Sequence, residues 1–180
     1  MPKRLLIIQP SYYKSRTDRT IARAGRREVV PLVLAYLAAL TPRDWEVRLA
    51  DEMIKPVDFE APVDLVAITT ATLNSHRAYD LAAEFRRRGK PVILGGPHVF
   101  FFPEEAAQHA DAVGVGEGEL IWQQSSKRKL SRSARSWAPQ KGSPAPGRPK
   151  RRIPKSCGFV VSPKRNMDSC PVCTVPPISH

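Results

Sequence analysis

The sequence predicts an α/β chain: a doubly wound, five-stranded parallel sheet over residues 1–124, followed by a disordered basic tail over residues 125–180. Three observations lead there. Short apolar runs such as Leu5-Leu6-Ile7-Ile8 and Val92-Ile93-Leu94 lack polar alternation, which marks strands buried on both faces, as in a parallel sheet covered by helices. Segments with helical spacing alternate with these runs. The charge is also split. Up to Glu119, sixteen Lys and Arg face sixteen Asp and Glu, whereas beyond it thirteen basic residues face one acid, Asp168. Nine of the 18 prolines lie in that last third as well, so a neutral folded domain carries a basic, proline-rich extension.

In chain order, residues 4–8 form the first strand, which Gln9-Pro10 ends. Residues 11–27 are polar and basic and read as a loop lying over the sheet's edge. Residues 29–40 place Val30, Val33, Leu34, Leu37 and Ala38 at helical spacing. Pro31 suits the first turn of that helix, where its missing N–H is not needed, and Thr41-Pro42 stops it. Residues 45–49 alternate and then meet Asp51, giving the second strand. Residues 64–68 form the third and run into Thr69-Thr70-Ala71-Thr72. Residues 74–88 form an amphipathic helix, with Ala78, Leu81, Ala82 and Phe85 inward. Its last turn carries Arg86, Arg87 and Arg88, which favour the helix dipole, and Gly89 suits the position after it. Residues 91–94 are the fourth strand, 103–110 a short helix with Glu104 and Glu105 in its first turn, and 111–115 the fifth strand. A last helix starts over residues 119–124.

Right-handed crossovers order these strands 2-1-3-4-5. About 120 residues suffice to bury a core. The order reverses between strands one and three, so Gln9, Pro10 and Ser11 flank a crevice with Thr69, Thr70, Ala71, Thr72 and Leu73. Ligands of such sheets bind off the carboxyl ends of the strands. Strand four runs into Gly95-Gly96-Pro97-His98 and strand five into Gly116-Glu117-Gly118-Glu119. Glycines there permit positive φ and close backbone approach, and His98, on the loop after strand four, reads as polar surface rather than a metal ligand.

No apolar run is long enough to span a bilayer. Cys157, Cys170 and Cys173 all lie in the tail and make no disulfide framework. A cytoplasmic location without membrane partners is the expectation. Cys170 and Cys173 have a metal-like gap, but nothing holds Cys157 and His180 beside them to complete four zinc ligands. Glu117 and Glu119 read as acids at a helix N-terminus rather than a catalytic pair. Phe100, Phe101 and Phe102 cannot all point inward, so exposed apolar surface is expected. The basic run over residues 127–155 reads as a solvated tail. A rival reading makes the chain a docking domain whose tail binds nucleic acid or acidic partners, and steep salt dependence would support it. No P-loop, Ser-His-Asp set or Gly-x-Gly-x-x-Gly follows strand one.

Five pieces in order, LLIIQPSYY, PLVLAYLAAL, VDLVAITTATLNSHRAYDLA, VILGGPHVFFFPEEA and DAVGVGEGE, resemble the N-terminal cobalamin-binding domain of B12-dependent radical SAM enzymes. The likeness runs from about Lys3 to Trp122. It implies a flavodoxin-like domain that holds the corrinoid's nucleotide tail between sheet and helices, with the corrin ring over the strand ends. On that resemblance Ala71, Gly95 and Gly96 keep a slot open, while Thr69, Thr70, Thr72 and the helix start at Asn74 receive the tail's phosphate and ribose. Thr70-Ala71-Thr72-Leu73 stands where cobalamin domains carry Ser-x-Leu. The Asp-x-His-x-x-Gly loop that ligates cobalt in related methyltransferases has no counterpart here, so no histidine-ligated cobalt is expected.

Past Trp122 the resemblance ends. Relatives continue with a barrel carrying Cys-x3-Cys-x2-Cys, whose thiolates bind an iron–sulfur cluster open to S-adenosylmethionine. This chain has Cys-x12-Cys-x2-Cys instead, and too few residues for a barrel of about two hundred. A truncated or frameshifted product is the expectation, with the iron–sulfur cluster and S-adenosylmethionine confined to full-length relatives. Corrinoid binding without turnover follows, the catalytic partner being a missing or separate radical SAM domain.

Overall fold

The computed structural model describes residues 2–15, 17–26, 31–118, 121–122 and 159–161. Parallel strands β1 (Lys3–Gln9), β2 (Trp45–Asp51), β3 (Leu65–Thr69), β4 (Val92–Gly95) and β5 (Ala112–Gly114) lie in the order β2-β1-β3-β4-β5. This is the doubly wound, flavodoxin-like order expected from the sequence. Helix α1 (Leu32–Leu40) follows β1. A 3-10 turn (Thr72–Asn74) and helix α2 (Ser75–Arg87) follow β3. Between β4 and β5 come α3 (Pro97–Phe101) and α4 (Pro103–His109).

Besides the 3-10 turn, the described residues hold two elements beyond those expected. One is α3, where Pro97 occupies the first turn after Gly96. The sequence predicts no helix between strand four and residue 103, although proline at a helix start is the usual signature. The other is a sixth strand, β6 (Phe159–Val161), antiparallel to β5. It comes from the segment expected to lack structure. An edge strand such as β5 presents a row of unpaired N–H and C=O groups, and Phe-Val-Val has the composition that pairs with such an edge. The basic run over residues 127–155, Cys157, Cys170, Cys173, His180, Glu119 and most of the last helix lie outside the described residues.

Side-chain alternation along the strands builds two cores. Leu6, Ile8, Val66, Ile68, Val92, Leu94 and Val113 pack under α2, α3 and α4 with Ala78, Leu81, Ala82, Phe85, Val99 and Ala106. Leu5, Ile7, Leu65, Ala67, Ile93 and Ala112 face the other way, against Leu34 of α1 and Trp122. Successive residues of one strand thus serve opposite layers, which is why these strands read as unbroken apolar runs. Trp122 donates its indole N–H to Thr41 Oγ1 at 2.9 Å, so the start of the last helix lies on the α1 face. Among the described residues no helix is long and apolar enough to cross a membrane.

Phe85 is the largest fully buried side chain among the described residues, and its ring lies 5.1 Å from that of Phe59. Phe85→Ala is expected to cost about 3–5 kcal/mol, read as a lower urea midpoint with an unchanged slope.

Candidate functional site

The carboxyl ends of β1, β3 and β4 meet at the place where the strand order reverses. Asn74 ties two of them together. Its Oδ1 accepts the Ala71 N–H at 2.7 Å and its Nδ2 donates to Pro10 O at 3.2 Å. The residues after β1 and β3 therefore share one buried side chain.

Gly96 shapes the next part of the edge. Its φ is 103° and its ψ −178°, a region open to glycine almost alone. A Cβ there would lie 2.8 Å from Thr70 O and 2.9 Å from Thr70 N. The turn wraps the Thr70 peptide: the Thr70 N–H donates to Gly95 O at 2.7 Å, and the His98 N–H donates to Thr70 O at 3.0 Å. At Gly95, by contrast, a Cβ would meet nothing within 4 Å. The two glycines read together in the sequence thus do different things. Gly96 permits backbone against backbone, and Gly95 borders open space.

The threonines divide in the same way. Thr69 is half-buried at the strand end, and its Oγ1 lies 3.2 Å from where a Gly96 Cβ would be. Thr70 is fully buried. Its Oγ1 is, among the described residues, the one buried side-chain polar atom without a hydrogen-bond partner. Thr72 is exposed, and its Oγ1 lies 3.3 Å from His98 Nδ1. Leu73 is 72% exposed. Phe100, Phe101 and Phe102 are 56%, 68% and 48% exposed, so all three leave the core and the expected apolar surface is present.

His98 lies in the interior rather than on a polar surface. It is buried, with Nε2 3.1 Å from the Tyr79 hydroxyl and 3.6 Å from Glu105 Oε1. Burial and the neighbouring Glu105 push the Tyr79 phenol well above its ordinary range. On the other side of Tyr79, the His109 ring stacks at 4.0 Å. Burial lowers the His109 pKa from its usual 6.5, and the charge of Glu105 opposes that shift.

Ser11 is buried; its N–H donates to Glu52 Oε2 at 3.2 Å and its hydroxyl to Ala22 O. Glu52 is fully buried just past β2 and takes the Arg77 Nε–H at 3.0 Å on each carboxylate oxygen. Burial works against the Arg77 charge, but its bonds to Glu52 and Tyr13 raise its pKa on balance. Tyr13 donates to Asp80, which also receives Arg19 at 2.6 Å. Burial and the bond to Asp80 raise the Tyr13 pKa. This network straps the loop after β1 over the edge, as expected of its position, but Glu52, Arg77 and Asn74 were missed as its fasteners. The available signal was an acid placed directly after a strand at the sheet's carboxyl edge.

Gln9 ends β1 beside Asp51, and its carbonyl accepts the Glu52 N–H at 3.0 Å. Pro97 is exposed at the start of α3. Gly116 has φ 121°, and the exposed Glu117 accepts the Ile121 N–H at 3.2 Å, which fits a helix start. Gly118 borders open space. The structure thus brings the residues after β1, β3 and β4 into mutual contact. Gly116, Glu117 and Gly118 follow β5, further along the same edge. Among the described residues, no His, Cys, Asp and Glu cluster has the arrangement to hold a metal ion.

The family model of the B12 binding domain matches residues 19–124. The chain is 41% identical over 100 residues to a bacteriochlorophyllide d C-8(2)-methyltransferase of Chlorobaculum tepidum, covering 55% of this chain and 22% of that protein. It is 34% identical over 125 residues to the bacteriochlorophyllide d C-12(1)-methyltransferase of the same organism, covering 68% and 26%. An uncharacterized methyltransferase of Pyrococcus horikoshii is 32% identical over 135 residues, covering 68% and 28%. The match spans about a quarter of the length of these relatives.

Two expectations follow. Gly96→Ala should lose at least about 2 kcal/mol, because strain at this φ and a clash with the Thr70 backbone add; a urea titration reads it. His109 binds its proton less readily folded than unfolded, so its contribution to stability is complete above pH 6.5 and is lost as pH falls below it. His109→Phe should make the fall of melting temperature with acid shallower than in the parent chain.

Proposed function

From the premise that the chain belongs to the B12 binding domain family, we propose that it is a cobalamin-binding module of a B12-dependent radical SAM methyltransferase. The observation that carries this reading is the unpartnered Thr70 hydroxyl at the carboxyl end of β3. Leaving such a group unsatisfied costs about 1–3 kcal/mol. A polar group of a bound ligand that reaches this hydroxyl removes that cost. Open space beside Gly95 and the exposed hydroxyl-bearing Thr72 suit the same ligand.

In this reading Thr69, Thr70, Ala71 and Thr72 receive the nucleotide tail, and Gly95, Gly96, Pro97 and His98 form the opposing wall. Gln9, Pro10 and Ser11 border the crevice at the switch point, and Gly116, Glu117 and Gly118 close its far end. Leu73 offers apolar contact. Bound cobalamin supplies methyl transfer or assists radical chemistry. The chain's own residues bind and orient it and keep water from its buried tail. In this reading cobalt takes no histidine from the loop after β1, which carries none. Radical SAM chemistry, with an iron–sulfur cluster and S-adenosylmethionine, falls in this reading to a catalytic domain other than this one. We place the module in the cytoplasm, in line with cysteines confined to the last third.

Titration of the purified chain with hydroxocobalamin, followed by gel filtration and visible absorbance, tests the reading. Co-elution of the corrinoid, insensitive to salt, is the expected result. Gly95→Trp should fold, since its side chain enters open space, yet bind at least about tenfold more weakly, or ~1.4 kcal/mol. A folded chain that retains no corrinoid would refute the proposal.

A further inference from the structure

The hydrogen bonds around His98 have a direction, and it reaches the ligand side of the site. Four elements converge on this one ring. Thr72 approaches from the 3-10 turn, Tyr79 from α2, Phe102 from the residue joining α3 and α4, and Glu105 from α4. His98 itself belongs to α3.

Glu105 begins the chain of reasoning. Its side chain is half exposed and, as an ionised carboxylate, only accepts. Tyr79 is a phenol at neutral pH, its pKa raised by burial and by the neighbouring Glu105, and a phenol oxygen can accept. His98 Nε2 faces that oxygen at 3.1 Å and the Glu105 carboxylate at 3.6 Å. The carboxylate can only accept and the phenol oxygen can accept, so the pair favours the neutral tautomer with its proton on Nε2. Nδ1 is then bare, and it accepts the Thr72 O–H across 3.3 Å. With its hydrogen turned inward, the exposed Thr72 presents only lone pairs outward.

We infer that His98 is a positioning residue that makes Thr72 a hydrogen-bond acceptor toward the ligand, with the direction set by the Glu105 carboxylate beside Nε2. The matching ligand group is a donor, a sugar hydroxyl or a carboxamide N–H, and an anionic oxygen is disfavoured at this point. The ligand half of this inference rests on the corrinoid reading above; the tautomer half does not.

The decisive measurement is nitrogen NMR of the His98 ring in the full chain, at a pH where the imidazole is neutral. Its signals are assigned by replacing His76, His109 and His180 with Gln. A single Nε2–H tautomer is expected; an Nδ1–H tautomer would overturn the inference. Hydroxocobalamin affinity is then compared for Thr72→Ser and Thr72→Val. The serine variant should bind within about twofold of the parent, and the valine variant about tenfold more weakly. Equal binding by the valine variant would overturn the ligand half. If no variant or parent binds the corrinoid, the functional reading fails, and the tautomer alone decides the positioning role.

Discussion

The close approach of Gly96 to the Thr70 peptide is the constraint from which the binding edge follows. With its N–H given to Gly95 and its carbonyl taken by His98, Thr70 has no backbone freedom left. Its side chain therefore stays buried beside the turn, whether or not its hydroxyl finds a partner. Any residue larger than glycine at position 96 would put a carbon within 3 Å of both Thr70 backbone atoms. The parallel ladder would then have to end one residue earlier. The aim of α3, and with it the placing of His98, would change too.

A second fastening acts from the other side of the switch point. Glu52 and Arg77 form a buried pair joining the end of β2 to the first turn of α2, with the Ser11 N–H as a third contact. Such pairs add little net stability, because removing two charges from water offsets most of their attraction. Removing one partner is costly, about 3–5 kcal/mol, since it strands the other charge. The pair is better understood as fixing geometry. It holds the loop after β1 in place with two directional bonds where apolar packing would leave it free to slide. Asn74 does the same for Pro10 and Ala71 at the cost of one buried amide.

Most of the fold could be read from the sequence because the strands are buried on both sides. That burial demands continuous apolar runs, and the intervening helices supply a different period. The site was legible as a set of positions but not as a set of roles. Gly95 and Gly96 look alike in the chain, and only the path of β3 separates the one bordering space from the one touching backbone. His98 follows two glycines and a proline, so it read as loop surface. It is buried because Pro97 starts a helix that turns the ring toward Tyr79. Glu52 and Arg77 are 25 residues apart, and charge alone gives no reason to pair them. The strand Phe159–Val161 was hidden by the composition around it, since three apolar residues in a basic, proline-rich segment carry no period.

The edge thus divides its work between residues that set shape and residues that face outward. Asn74, Glu52, Arg77 and His98 have their side chains engaged by the backbone or by neighbouring side chains, and Gly96 packs against the Thr70 backbone. Gly95, Thr72, Leu73 and the three phenylalanines border solvent, and among the described residues Thr70 alone holds an unspent polar atom inside. This division bears on how substitutions here are to be understood. A change in the first group alters binding only by moving the frame, so its effects on stability and affinity should rise together. A change in the second group leaves the frame standing, and affinity should respond alone. Thr72 and His98 sit on either side of that boundary although their side chains touch. That contact is therefore where the rigidity of the frame becomes a chemical preference at the surface of the site.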